Sequence, residues 1–210
     1  MARLWLFDLD GTLVDSEKAI KACYLKVGQD LVPERCKFIE TMVIGPTLDE
    51  STRMILTDEN NNLIDEFKER FKELYDEKFI FTTPEYKHSG STLNKLYEKG
   101  DDLWIVTNKR SYPTKKLINY YGWKHLFKLI SCMDENPSLK NKFELIVNKN
   151  INTNNYSNIY FIGDTVKDGI TANNLNYKFI KAEYGYGTNE NWKGIKIFKK
   201  IDCISKILEF

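Results

Sequence analysis

A chain of 210 residues is long enough for one α/β domain with an inserted segment, but short for two domains of ordinary size. Its 42% hydrophobic and 29% charged residues can build a core, which argues against a disordered chain. The 31 basic and 30 acidic residues leave a net charge of +1, so we expect no nucleic-acid partner and no acidic tail.

Apolar runs are short throughout the chain. None approaches the ~18 residues needed to span a bilayer, so we expect no membrane segment. The first run, Leu4–Phe7, is too short for the core of a signal peptide. The four cysteines are widely spaced and form no CxxC pair, which favours reduced thiols in a cytoplasmic protein.

Six short hydrophobic runs predict the strands of a parallel sheet, because they are not alternating in the manner of half-exposed strands. They are Leu4–Phe7, Leu103–Val106, Leu129–Ser131, Ile159–Ile162, Lys178–Lys181 and Ile195–Phe198. Helical patterns between them are predicted at Thr92–Lys99, Tyr112–Tyr121, Lys142–Asn150 and Asp168–Leu175. Strands alternating with helices predict a doubly wound α/β fold with right-handed crossovers.

Residues 15–83 carry a different pattern. Their apolar residues recur at helical spacing, as in Phe67, Phe71 and Leu74, and no buried strand is evident. A polar break at 58–62 separates two of the predicted helices. We therefore predict an all-helical segment, 15–83, inserted after the first strand of an α/β core formed by 1–14 and 84–210.

Polar side chains stand where the predicted strands end. Asp8 and Asp10 follow the first strand, Thr107 ends the second, and Asp164 and Asp168 follow the fourth. Ligands of open α/β sheets bind at the carboxyl ends of the strands. Carboxylates that meet there would repel one another unless a cation lay between them, and Mg²⁺ prefers oxygen ligands. The pattern thus indicates a magnesium site.

A magnesium ion in such a site points to phosphate chemistry. A phosphate monoester is a dianion that a bare carboxylate cannot approach, and a metal bridging the two removes that barrier. Thr107 and Lys142 could hold the remaining phosphoryl oxygens. One carboxylate can then attack as a nucleophile to give an aspartyl-phosphate, while a second serves as general acid and base.

Four segments resemble, in the right order, the signatures of the haloacid dehalogenase superfamily. They are FDLDGTLVDS at 7–16, IVTNK at 105–109, KFELI at 142–146 and IGDTVKD at 162–168. The resemblance covers essentially the whole chain. It implies a Rossmann-like catalytic core, and it implies that the helical segment after the first signature is a cap.

The resemblance also implies roles for the acidic residues. Asp8 would be the nucleophile and a Mg²⁺ ligand. Asp10 would be the general acid and base, with its backbone carbonyl on the metal. Asp164 would ligate Mg²⁺ as well, and Asp168 would support the metal through water or a hydrogen bond to another ligand.

Three further residues match positions that bind the phosphoryl group in this family. They are Thr107 and Asn108 in the second signature and Lys142 in the third. The third signature is the weakest of the four, and Lys140 is a rival to Lys142. We favour Lys142 because it directly precedes the apolar helix face that begins at Phe143.

The likeness extends to a branch of the superfamily. An acid at Asp10 argues against the dehalogenase and phosphonate-cleaving branches, which lack one there. The segments VIGPTLDES at 43–51 and AEYGYG at 182–187 are similar to segments of phosphoglycolate-phosphatase-like and nucleotidase-like members. The resemblance implies a Mg²⁺-dependent phosphatase, monomeric or homodimeric, acting on a small phosphorylated metabolite such as phosphoglycolate. A nucleotide 5′-phosphatase, a pyrophosphatase, a β-phosphoglucomutase-like mutase and a non-catalytic scaffold remain alternatives.

Overall fold

The computed structural model describes residues 1–136 and 138–210. Its contacts divide the chain into two units. The α/β unit comprises Met1–Asp15 and Glu85–Phe210, and the helical unit comprises Ser16–Pro84. The boundaries expected from the sequence, after residues 14 and 83, lie one residue before these.

The α/β unit is built around one parallel sheet. Its six strands within the described residues are β1 (Leu4–Phe7), β2 (Asp102–Thr107), β3 (Leu129–Cys132), β4 (Ile159–Gly163), β5 (Lys178–Ala182) and β6 (Lys199–Ile201). Their order across the sheet is β3-β2-β1-β4-β5-β6, and every neighbouring pair is parallel. The chain leaves β1 on one side towards β2 and later returns to its other side with β4. The predicted doubly wound α/β fold is confirmed, with its topological switch point between β1 and β4.

In chain order, the α-helices of the described residues are α1 (Glu17–Leu31), α2 (Cys36–Thr41), α3 (Leu48–Ile55), α4 (Ile64–Glu77), α5 (Ser89–Glu98), α6 (Ser111–Tyr120), α7 (Lys142–Val147) and α8 (Val166–Asn174). The helical unit contains α1 to α4, and the α/β unit contains α5 to α8. None of the helices in 1–136 and 138–210 combines the length and the apolar character that crossing a bilayer requires.

The central strand β1 is buried along its whole length, which explains its unbroken hydrophobic sequence. Leu4 and Leu6 share one face of the sheet with side chains from α7 and α8. Trp5 and Phe7 alternate with them towards the other face, where the Trp5 ring stacks on Tyr160 with 4.3 Å between ring centroids. Both faces of β1 are therefore packed against other side chains. A ligand could reach this strand only at its end.

The helical unit has an aromatic core between α1 and α4. Tyr24 of α1 stacks on Phe71 of α4 with 4.3 Å between ring centroids, and Phe71 stacks on Tyr75 one turn later at 5.4 Å. Helix α3 begins with a capping box in which Thr47 and Glu50 satisfy each other's backbone N–H groups. These contacts agree with the helical spacing of aromatic residues in this part of the sequence.

The sixth strand is not where the sequence predicts it. The predicted strand Ile195–Phe198 is wrong, because the structure places β6 directly after it, at Lys199–Ile201. Ile195 and Ile197 pack instead against the hydrophobic core of the sheet. These two residues are apolar because they cover the core, although they do not belong to a strand of the sheet.

Candidate active site

The sequence-predicted acidic residues meet at the carboxyl ends of β1 and β4. Asp8 directly follows β1, and Asp164 directly follows β4. One carboxylate oxygen from each of Asp8, Asp164 and Asp168 lies within 4.8 Å of the others, and all three residues are buried. These three residues are referred to below as the acidic cluster. Side chains more than 150 positions apart in the chain thus share one small volume.

A buried lysine bridges two members of the acidic cluster. The Lys142 Nζ lies 2.8 Å from Asp8 Oδ1 and 2.7 Å from Asp168 Oδ1. Lys142 is the first residue of α7, whose N-cap Asn141 accepts a hydrogen bond from the Glu144 backbone N–H. Lys140, the rival candidate, donates its backbone N–H to the Glu144 carboxylate. Of the two lysines, Lys142 is the one whose ammonium reaches the carboxylates.

The acidic cluster brings three carboxyl groups together beside the Lys142 ammonium. Burial raises the pKa of Asp8 to about 7, even though the Lys142 ammonium acts in the opposite direction. Burial, together with the charges of Asp168 and Asp8, also raises the pKa of Asp164 well above its usual range. Burial alone would lower the pKa of Lys142, but the two carboxylates outweigh it and raise that pKa. An additional cation would relieve this repulsion.

Asp164 is held by one backbone N–H and one side-chain hydroxyl, from two different loops. Its Oδ2 accepts a hydrogen bond of 2.7 Å from the Tyr186 N–H, and its Oδ1 accepts one of 3.2 Å from the Thr12 hydroxyl. Gly11 has a φ of +82°, and a Cβ there would overlap the Asp164 carboxylate. A Cβ at Gly185 would overlap Asp164 as well. The Asp164 side chain therefore fits closely between Gly11 and Gly185, and a larger residue at either position would overlap it.

Asp168 uses both carboxylate oxygens within the α/β unit. Oδ1 accepts from Lys142, and Oδ2 accepts from the backbone N–H and the hydroxyl of Thr165, at 3.0 and 2.6 Å. Thr165 and Asp168 form the capping box that begins α8. Asp168 therefore serves the helix start and the lysine at the same time.

The Asp10 side chain lies outside the acidic cluster and pairs with Lys109. The Lys109 Nζ is 3.0 Å from Asp10 Oδ1 and 3.3 Å from Oδ2, and both side chains are largely buried. The metal contact expected of Asp10 involved its backbone carbonyl. The sequence analysis gave Lys109 no role. The available signal was its place in the second signature, two residues after Thr107, which puts a cation at the same edge of the sheet as Asp10.

The remaining predicted site residues lie at the end of β2. Thr107 is the last residue of that strand and is buried, and its hydroxyl accepts a hydrogen bond of 3.1 Å from the Lys109 backbone N–H. Asn108 follows it and is partly exposed. Because β2 is the direct neighbour of β1, these residues belong to the same edge of the sheet as Asp8. Their contact with a phosphoryl group stays a prediction.

Comparison with known proteins agrees with this arrangement. The family model of haloacid dehalogenase-like hydrolases matches residues 5–182. A phosphoglycolate phosphatase from Psychrobacter arcticus is 23% identical over 99% of this chain and 95% of its own length. The pyrophosphatase PpaX of Bacillus velezensis is 34% identical over 62% of this chain and 59% of its own length.

A similar fold is present among solved structures. The crystal structure of a predicted phosphoglycolate phosphatase from Haemophilus somnus superposes with a TM-score of 0.81 and 23% sequence identity, covering 99% of this chain and 97% of that one. At this identity the likeness shows the fold. The family model, by contrast, spans most of the chain, from β1 through the end of β5. The chain therefore belongs to the haloacid dehalogenase-like hydrolase family.

Proposed function

We propose that this chain is a Mg²⁺-dependent phosphatase that hydrolyses a small phosphate monoester through an aspartyl-phosphate formed on Asp8. The observation that carries the proposal is the buried acidic cluster, with Lys142 in contact with Asp8, at the switch point of a sheet in this hydrolase family. Such a site fits a ligand that brings a cation and an anionic group together.

The donor set fits a small hard cation. Carboxylate oxygens are the ligands that Mg²⁺ prefers, and one oxygen from each of three buried carboxylates lies within 4.8 Å of the others. In this proposal Asp8, Asp164 and the backbone carbonyl of Asp10 hold the metal directly. Asp168, whose oxygens already accept from Lys142 and Thr165, supports the metal through water.

When bound, Mg²⁺ would offset the charge of the phosphate dianion beside the carboxylates. The Asp8 carboxylate attacks phosphorus, the bond to the ester oxygen breaks, and Asp10 gives a proton to the leaving alcohol. Asp10 then takes a proton from the water that attacks the aspartyl-phosphate, which releases phosphate and regenerates Asp8. Thr107 and Lys142 hold the phosphoryl oxygens during both transfers.

Phosphoglycolate is the substrate that we propose first. The support is that a phosphoglycolate phosphatase aligns with nearly the whole chain, together with the segments at 43–51 and 182–187. Pyrophosphate is the second candidate, because a pyrophosphatase shares 34% identity with 62% of the chain. Both are small dianionic or more highly charged phosphates, and the same set of core residues could act on either.

The test is phosphate release from a panel of substrates at fixed Mg²⁺. The panel contains phosphoglycolate, pyrophosphate, nucleoside monophosphates and sugar phosphates. We expect the highest kcat/KM for phosphoglycolate, loss of activity with EDTA and recovery with added Mg²⁺. The matched control is Asp8→Asn, which keeps the shape of the side chain but removes the nucleophile. Turnover that ignores chelation, or a panel without any hydrolysis, would contradict the proposal.

A further inference from the structure

The loop after β5, residues 183–192, lies directly against Asp164 and is called the anchor loop here. Its Tyr186 N–H donates the 2.7 Å hydrogen bond to Asp164 Oδ2. A Cβ at Gly185 would overlap the side chain of Asp164, and a Cβ at Gly187 would overlap its backbone carbonyl. Any displacement of the anchor loop must therefore disturb the orientation of the Asp164 carboxylate.

The anchor loop is itself fastened by a tryptophan. The indole N–H of Trp192 donates a hydrogen bond of 2.9 Å to the carbonyl of Gly187. The Trp192 ring stacks against Phe179 of β5, with 6.0 Å between ring centroids. Trp192 thus joins the glycine turn of the anchor loop to the sheet.

A buried lysine covers the same tryptophan. Lys181 lies on β5 and is 6% exposed, and its Nζ stands 4.3 Å from the centroid of the Trp192 ring. The Glu183 carboxylate is 3.7 Å away from that Nζ. Burying an ammonium is unfavourable unless partners compensate, and the electron-rich face of the indole ring is one such partner. The chemistry proposed above makes no use of Lys181, so its burial calls for another explanation.

A second contact holds the same end of the anchor loop as Trp192. The Glu190 carboxylate accepts a hydrogen bond of 2.6 Å from the Val166 N–H, at the first turn of α8. Val166 stands only two residues after Asp164 in the chain. Glu190 and Trp192 both lie among the last three residues of the anchor loop, so this end is fixed to β5 through Lys181 and to the segment that carries Asp164 through Val166.

We propose that Lys181 and Trp192 are positioning residues that set the affinity of the site for Mg²⁺ by holding the anchor loop against Asp164. The inference rests on the proposed function, which makes Asp164 a metal ligand. The Tyr186 N–H occupies one lone pair of Asp164 Oδ2 and so orients the carboxylate towards Asp8 and Asp168. Partners of this kind typically change metal affinity by about 10–100-fold when they are removed.

The experiment compares Mg²⁺ binding, measured by calorimetry, in the full chain and in four variants. Lys181→Met removes the cation over the ring, and Lys181→Arg keeps one. Trp192→Phe keeps the ring position but removes the indole N–H. The matched control is Lys178→Met on the same strand, because Lys178 also stands over aromatic rings, those of Tyr160 and Phe198, and both of these residues lie outside the anchor loop.

We expect Mg²⁺ to bind about tenfold more weakly to Lys181→Met and to Trp192→Phe than to the unaltered chain. Lys181→Arg and Lys178→Met should bind it with unchanged affinity. At saturating Mg²⁺, kcat should be close to that of the unaltered chain, since the proposed function assigns none of these residues to the substrate. A purely structural role would instead lower the melting temperature of the metal-free protein without changing Mg²⁺ affinity.

The outcomes separate this inference from the proposed function. If the unaltered chain binds Mg²⁺ and both Lys181→Met and Trp192→Phe bind it equally well, the positioning role is wrong. An equal loss in the Met and Arg variants of Lys181 would also overturn the role of the cation. If the unaltered chain binds no Mg²⁺, the proposed function itself fails. Should Lys181→Met not fold, Trp192→Phe decides the question by the same measurement.

Discussion

Replacing Asp8 by asparagine should stabilise the metal-free protein at alkaline pH while it abolishes catalysis. Asp8 has a pKa raised from 3.8 to about 7, because burial disfavours the carboxylate even beside Lys142. The folded protein therefore keeps a proton that the unfolded chain has lost between these two pH values. The contribution of the Asp8 carboxyl group to the free energy of unfolding is fully present below about pH 4. It falls as the pH rises towards 7 and is constant at higher pH.

The size of the effect follows from the displacement of this pKa. A change from 3.8 to about 7 corresponds to about 4 kcal/mol of stability lost by pH 8. Asparagine is neutral at every pH and avoids that loss. For a chain of this size, about 4 kcal/mol corresponds to a rise in melting temperature of about 10 °C. At pH 5 the gain should be less than half as large.

The assay is urea unfolding of the unaltered chain and of Asp8→Asn at pH 5 and pH 8, in EDTA. The exposed Asp202→Asn serves as the control and should change neither midpoint. Added Mg²⁺ should then stabilise the unaltered chain more than Asp8→Asn, because the metal needs the carboxylate. Equal unfolding midpoints for the unaltered chain and Asp8→Asn at pH 8 would refute this reasoning.

Three further substitutions test neighbouring contacts. Lys142→Met should lower the free energy of unfolding by about 3–5 kcal/mol at pH 8, and by less at pH 5 where the carboxyl groups take up protons, as urea unfolding would reveal. Lys109→Met should slow hydrolysis of an alkyl phosphate about 10–100-fold through Asp10, but slow that of p-nitrophenyl phosphate much less, because nitrophenolate leaves without a proton. Equal slowing of both esters would contradict that role. Gly11→Ala should weaken Mg²⁺ binding in calorimetry and cost about 1–3 kcal/mol of stability, because its Cβ would overlap the Asp164 carboxylate; unchanged binding would contradict this close fit.

The sheet could be predicted well from the sequence where its strands are covered on both faces. Strand β1 is buried at every position, so its sequence is an unbroken hydrophobic run. The edge strand β6 escaped prediction because Lys199 and Lys200 are exposed, as is common in edge strands, and only Ile201 is buried. The hydrophobic run just before it covers the core without joining the sheet.

The acidic residues of the site could be expected together because parallel strands bring their carboxyl ends to one edge. The groups that contact and orient these acidic residues could not be predicted from the sequence. The pair of Asp10 and Lys109 joins residues 99 positions apart, and it depends on the register of β1 and β2. The hydrogen bond from Tyr186 to Asp164 uses a backbone N–H, which no side-chain pattern reveals. The segment at 182–187 stood out only by its likeness to a family segment.

The most direct test of the account is to trap the phosphoryl group on the protein. The chain is mixed with Mg²⁺ and substrate, quenched in acid within a single turnover, digested, and analysed by mass spectrometry. The account predicts a mass increase of one phosphoryl group on the peptide that contains Asp8. The increase should be absent from Asp8→Asn and from samples in EDTA. Rapid hydrolysis without any phosphorylated peptide, or with the label on another residue, would contradict the central claim.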